Sequence, residues 1–159
     1  MNRIIGFNQL SKWRSKVFNV ILTNGCFNIL HVGHVRYLNH IKKLFPFHFL
    51  VVGINSDNAL RHLKNPPYVT PQGERAEIIA ALSAVSKVTI FPGFDAVELI
   101  KRCKPDIYIK GGDYNINTIN PEERNLIINM NIKTSFLKHT FNKSTSLIFK
   151  KMLIPSSNT

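Results

Sequence analysis

Short apolar runs alternate with segments of helical spacing along nearly the whole chain, and this alternation restricts the available folds more than any other feature. Residues 17–23 are apolar and end in the turn-prone pair Asn24-Gly25. Val35, Leu38, Ile41 and Leu44 or Phe45 then recur at the spacing of one helix face as far as Pro46. Residues 48–54, 88–91, 107–109 and 132–137 repeat the strand pattern. Helices are expected over residues 9–16 and 74–85, the second through Ile78, Ile79 and Leu82. Another runs from Asp95 as cap through Val97, Ile100 and Cys103 to the stop at Pro105, a fourth starts at Pro121-Glu122, and the last covers 144–152. A polar turn at 55–57 and a loop with Pro66, Pro67 and Pro71 follow the second strand. Strands apolar on both faces, separated by helices, predict an α/β fold whose parallel sheet is covered by helices on both sides. A length of 159 residues suits one domain, 1–159, with 1–16 as a leading helical segment and 155–159 as a tail.

Composition narrows the setting. Apolar residues make up 44% and charged residues 19%, enough for a packed core without cross-links. The longest apolar run, 47–54, is interrupted by His48 and falls far short of the roughly 20 residues that span a bilayer. Residues 1–10 lack the pattern of a signal peptide, and Cys26 and Cys103 form no disulfide framework, so a cytoplasmic protein is expected. Lysine and arginine outnumber aspartate and glutamate by 21 to 9, a net charge of +12. That suits polyanionic partners, phosphorylated small molecules among them, but the basic residues are spread along the sequence as solvated surface residues also are.

In a parallel sheet ligands sit at the carboxyl ends of the strands, which directs attention to the loops there. The first reads TNGCFNILHVGH, Thr23 to His34, and leads into a helix whose first residues include His31, Gly33 and His34. A helix start offers backbone N–H groups and the positive end of its dipole to phosphate, and Gly33 lets a ligand approach the backbone. Two surface or core histidines, or a zinc site made by Cys26, His31 and His34, are the competing readings. The second loop carries Lys64. The third, KGGDY from Lys110 to Tyr114, is either an ordinary turn or part of the same site. Near the end, Asn142-Lys143-Ser144-Thr145-Ser146 reads as a helix cap or as a second phosphate cradle.

With these residues in place, the chain resembles the HxGH nucleotidyltransferase superfamily, and within it the adenylyltransferases that make the ADP-sugar of D-glycero-β-D-manno-heptose 1-phosphate. The segments that carry the resemblance are TNGCFNILHVGHVRYL, VGINSD (52–57), RHLK (61–64), ERAEIIAAL (74–82), KPDIYIKGGDY (104–114) and STSLI (144–148). The chain looks like a stand-alone form of an activity that some relatives fuse behind a sugar kinase. The resemblance implies a doubly wound, Rossmann-like five-stranded sheet of order 3-2-1-4-5, with the loops after strands one and four at the switch point. It implies that His31, His34 and Lys64 hold the triphosphate. Thr23, Asn24, Gly25, Cys26, Phe27, Gly33, Gly112, Asp113, Ser144 and Thr145 would enclose the nucleotide, while Asn28, Arg75 and Lys110 would serve the substrate or the framework.

The implied reaction moves AMP from ATP, accompanied by Mg²⁺, to the sugar 1-phosphate, giving ADP-heptose for the lipopolysaccharide inner core. The implied partners are therefore ATP and a sugar 1-phosphate, with no nucleic acid, no membrane and no protein-held metal; a homo-oligomer stays open. Three departures stand out: Asn28 where the family has aspartate, Ser144-Thr145-Ser146 where it has Ser-Thr-Thr, and a poor match over 115–133. Cytidylyl transfer to glycerol 3-phosphate or a similar alcohol, and an inactive relative that binds nucleotide or nucleic acid, are the alternatives.

Overall fold

β-Branched and other large apolar residues extend into five strands, and in each the residues alternate between two cores on opposite faces of one sheet. The computed structural model describes residues 2–64, 69–112 and 114–137. A 3-10 turn at Phe7–Gln9 runs into α1 (Leu10–Arg14), followed by β1 (Val20–Gly25), α2 (Val32–Leu44), β2 (Phe49–Asn55) and α3 (Asp57–Lys64). Then come α4 (Gln72–Ala81), β3 (Lys87–Phe91), α5 (Val97–Cys103), β4 (Ile107–Gly111), α6 (Pro121–Asn129) and β5 (Lys133–Leu137). The strand order is β3-β2-β1-β4-β5 and every pairing is parallel, as the resemblance implied.

Ile21, Leu50, Val52 and Ile54 face α2 and α4 through Leu38, Ile41, Ala76 and Ile79. Val20, Leu22, Val51 and Tyr108 face the other way, onto Leu10, Leu99, Ile100 and Ile127 of α1, α5 and α6. Fully burying each such aliphatic side chain contributes about 1.5–3 kcal/mol, so the two layers of helices fix the sheet from both sides.

Several boundaries differ from the expected ones. β1 begins later, at Val20, and continues through Asn24 and Gly25, which pair in register with Gly53 and Ile54; the turn therefore starts at Cys26. β4 likewise continues through Lys110 and Gly111, opposite Phe136 and Leu137. α3 occupies part of what reads as a proline-bearing loop, so Lys64 is the last residue of a helix and not a loop residue. α4 ends at Ala81 because Leu82 turns extended, at ψ 129°, and Ile78, expected in the core, is 43% exposed. Asp95 caps α5 from one residue further out: Val97 N–H donates to its Oδ1 at 2.9 Å. α6 starts as expected, with Pro121 at its first position and Asn120 accepting from the N–H groups of Glu122 and Glu123. The expected helix over 144–152 and tail over 155–159 lie outside the described residues.

Candidate active site

Since α2 leaves β1 toward one face and the α5–β4–α6 segment covers the other, the strand order reverses between β1 and β4, and a crevice opens at their carboxyl ends. Phe27, at φ 47°, turns the chain out of β1. His31 is then the N-cap of α2: Gly33 N–H donates to its Nδ1 at 3.2 Å, and His34 N–H to its carbonyl at 2.9 Å. With Nδ1 accepting, the neutral ring carries its proton on Nε2, a donor for an anion. The imidazoles of His31 and His34 stack at 3.8 Å and 24°, and the Phe27 ring closes on His34 at 5.0 Å. The two histidines thus form one half-buried unit at the positive end of the longest helix among the described residues.

Below them lies a framework of buried polar groups. Arg75, 1% exposed, donates to Asp57 Oδ1 at 2.7 Å, to the Thr70 carbonyl at 2.8 Å and to the Cys26 carbonyl. It ties α3, α4 and the β1–α2 loop together. Asn28 is buried too, and its Oδ1 accepts from Thr70 N–H at 2.8 Å. An aspartate could accept the same bond; the asparagine keeps this geometry without the charge. Thr23 is fully buried, its hydroxyl 2.8 Å from that of Tyr37, so it supports the crevice floor.

Lys64 ends α3 on the surface, yet its cation, like that of Arg75, pulls on the Cys26 thiol, which puts it beside the same loop. Burial outweighs both cations and pushes that thiol up. Cys26 Sγ lies 3.8 Å from Asn55 Oδ1. Among the described residues no group of three or more His, Cys, Asp and Glu side chains converges as a metal would require, so Cys26, His31 and His34 do not assemble into a zinc site.

Across the crevice, Gly112 adopts φ 117°, a left-handed conformation that a side chain would strain, and its N–H donates to Leu137 at 3.0 Å. A Cβ on Gly111 would lie 2.7 Å from the Tyr37 ring. Lys110 is paired with Glu123 at 3.1 Å. Asp113, Ser144 and Thr145 lie outside the described residues. The sequence reading missed Glu123. Buried at the start of α6, it accepts from Ala96 N–H at 2.8 Å and stands 3.3 Å from the Tyr108 hydroxyl, which is itself 2.7 Å from Asn24 Oδ1. Its spacing from Asn120 looks like an ordinary capped helix start, so nothing in the sequence separates it from a solvated acid.

The histidine unit, the glycine turn opposite and the lysine at the rim suit binding of a phosphate chain. Comparisons with known proteins place the chain among relatives. The bifunctional protein HldE of Syntrophotalea carbinolica is 48% identical over 102 residues, covering 63% of this chain and 20% of HldE. HldE of Trichlorobacter lovleyi is 34% identical over 153 residues, 96% of this chain and 30% of the relative. This chain therefore spans well under half the length of these curated relatives. A solved structure, the lipopolysaccharide core biosynthesis protein from Thermoplasma volcanium, is 25% identical with a TM-score of 0.62, over 78% of this chain and 98% of that one. The cytidylyltransferase-like family model matches residues 22–151, from within β1 past the KGGDY loop. On fold, crevice and sequence together, the chain belongs to the cytidylyltransferase-like family of nucleotidyltransferases.

Proposed function

We propose that the protein transfers AMP from ATP to D-glycero-β-D-manno-heptose 1-phosphate, releasing pyrophosphate, in the cytoplasm. The observation that carries this reading is the stacked His31–His34 pair at the N-terminus of α2, facing the β4 glycine turn across the switch point. A phosphate oxygen of the acceptor attacks the α-phosphorus of ATP and the bond to the β,γ-diphosphate breaks. The attacking oxygen is already ionised, so no general base is needed, and catalysis reduces to positioning and charge stabilisation. His31 Nε2–H and His34 donate to phosphate oxygens as charge shifts to the leaving group, and Lys64 neutralises the pyrophosphate.

Mg²⁺ would arrive with the triphosphate and supply charge neutralisation there. The described residues fit it poorly as a protein-held ion. Asn28 offers a neutral amide oxygen already accepting from Thr70, and Asp57 is engaged by Arg75.

The likeness to the Thermoplasma protein of lipopolysaccharide core biosynthesis and the KGGDY segment favour the heptose acceptor, and the family's name keeps CTP in the comparison. The test is pyrophosphate release by the purified chain with ATP or CTP, alone and with heptose 1-phosphate or glycerol 3-phosphate as acceptor. Release that requires ATP and the sugar supports the reading. Release with CTP and glycerol 3-phosphate instead replaces it with cytidylyl transfer, and no release from folded protein points to the inactive alternative.

A further inference from the structure

The end of the sheet opposite the crevice carries an unusual surface. The first acidic residue of the chain is Asp57; Arg3, Lys12, Arg14, Lys16, Arg36, Lys42 and Lys43 all precede it. Although spread along the sequence, many of the cations gather in the fold where the strands begin. Lys12 and Lys16 lie on and just after α1, Lys42 and Lys43 close α2, Lys101 and Arg102 close α5, and Lys87 and Lys133 open strands. Asp106 is the one acid in the connections leading into the strands; it is 46% exposed at the wall of the cleft there, but Arg14 neutralises it at 3.2 Å and Val20 N–H donates to it at 2.7 Å.

Two phenylalanines stand among these cations with their rings in solvent. Phe18, before β1, is 79% exposed, and Phe47, before β2, is 88% exposed. The two turns are adjacent, because Phe49 N–H donates to the Asn19 carbonyl at 2.8 Å and Trp13 meets the Phe49 ring edge-on. Beside them a cleft of about 550 Å³ is lined by Asn19, His48, Lys104 and Lys133 among others, with no Phe, Tyr or Trp in its wall. Cations in the last turn of a helix are explained by its dipole, which accounts for Lys42 and Lys43. It does not account for exposed phenylalanines beside them, since a folded surface gains nothing from leaving such rings in water.

We propose that this pole docks on an anionic bilayer surface. Phe18 and Phe47 enter the headgroup–acyl boundary while Lys16, Lys43, Lys104 and Lys133, all exposed, meet lipid phosphates. Protruding apolar tips ringed by lysine suit a bilayer better than a nucleic-acid strand, whose bases need aromatic platforms inside a groove that this cleft lacks. Docking here is peripheral: no helix among the described residues is long and apolar enough to cross a membrane. Because the strands place the crevice at the other end of the sheet, it stays open to water when the pole is docked.

The test is co-sedimentation of the whole chain with phosphatidylcholine vesicles containing roughly a quarter phosphatidylglycerol, against phosphatidylcholine alone. Binding is expected only to the anionic vesicles and should fall as salt rises. The pair Phe18→Ser with Phe47→Ser, and separately Lys16→Glu with Lys43→Glu, should each weaken it by about tenfold or more. Pyrophosphate release in vesicle-free solution should be unchanged in both variants, so this proposal and the proposed reaction fail independently. No partition of the wild type onto anionic vesicles overturns it. So does equal partition by both variants, or by either with an unchanged unfolding midpoint. Loss of oligonucleotide binding or of self-association in the variants, with no vesicle binding by the wild type, would reassign the surface to nucleic acid or to a second copy.

Discussion

His34 couples the site's chemistry to its architecture, for its ring is held between Phe27 and His31 while its backbone forms the first turn of α2. Replacing it with alanine removes the proposed hydrogen-bond donor to phosphate but leaves the buried framework of Arg75, Asp57 and Asn28 intact. His34→Ala should therefore lower kcat by about 10² to 10³, as loss of one preorganised donor does elsewhere, with an unfolding midpoint close to wild type. Steady-state kinetics beside thermal unfolding checks both halves. Cys103 gives a purely thermodynamic counterpart. Burial raises its thiol to about 12 from 9.0, so between those values the unfolded chain has released a proton that the folded chain still holds. Stability is then lost as pH rises, by up to about 1.4 kcal/mol per unit from this group. Cys103→Ala should flatten the decline just above pH 9 in urea titrations, leaving the part due to Cys26 and, higher up, to the buried Tyr37 and Tyr108, whose hydroxyls are also raised.

Strands and long helices were legible because burial leaves a pattern in the sequence: a continuous run in β2, buried at every position after Phe49, and a helical repeat in α2, where Leu38 and Ile41 face the core. α3 was not, since its buried residues are only Ala59 and Leu60 and prolines follow close behind. Its start combines a local cap, Ser56 Oγ accepting from Ala59 N–H, with a contact no local pattern reports: Gln72 Oε1 accepts from Asp57 N–H across fifteen residues of chain. The glycines show the same limit. Gly53 lies inside β2, where the sequence gives no turn to explain it, and the reason is α5: a Cβ there would come 2.3 Å from Leu99 Cδ2. Gly53→Ala must push Leu99 or the strand aside in a core with little slack. We expect a loss of about 1–3 kcal/mol in denaturant unfolding. Combined with Leu99→Ala, the loss should be smaller than the sum of the two single variants, because the clash then has no partner.

The whole sheet matters where β1 and β4 meet, since the crevice is only as well shaped as the spacing of those two strand ends. The paired strands give two register contacts there, Ile21 with Ile107 and Leu22 with Tyr108, both well before the carboxyl ends. Beyond them the gap is bridged by side chains: Lys110 to Glu123, Glu123 to Ala96 N–H and near the Tyr108 hydroxyl, and that hydroxyl to Asn24 on β1. The HxGH half of the site is contiguous in sequence and could be read there, whereas this bridge joins residues from four separate segments and could not. Glu123→Gln keeps an acceptor for Ala96 but strands the largely buried Lys110 ammonium beside a neutral amide. Breaking such a pair costs about 3 kcal/mol or more, and Lys110→Met added to Glu123→Gln should restore more than half of it, because the uncompensated charge is gone. If the bridge also sets the crevice, the single variant should bind ATP more weakly and gain less stability from it. A ligand at 100 times its Kd stabilises by about 2.7 kcal/mol, so at fixed ATP a smaller thermal shift reports the weaker binding directly. An unfolding cycle over the two single variants and the double variant, each with and without ATP, separates the two effects. Restored stability with ATP binding still impaired would assign the bridge to the site as well as to the fold. Full recovery of both in the double variant would confine its role to neutralising a buried charge.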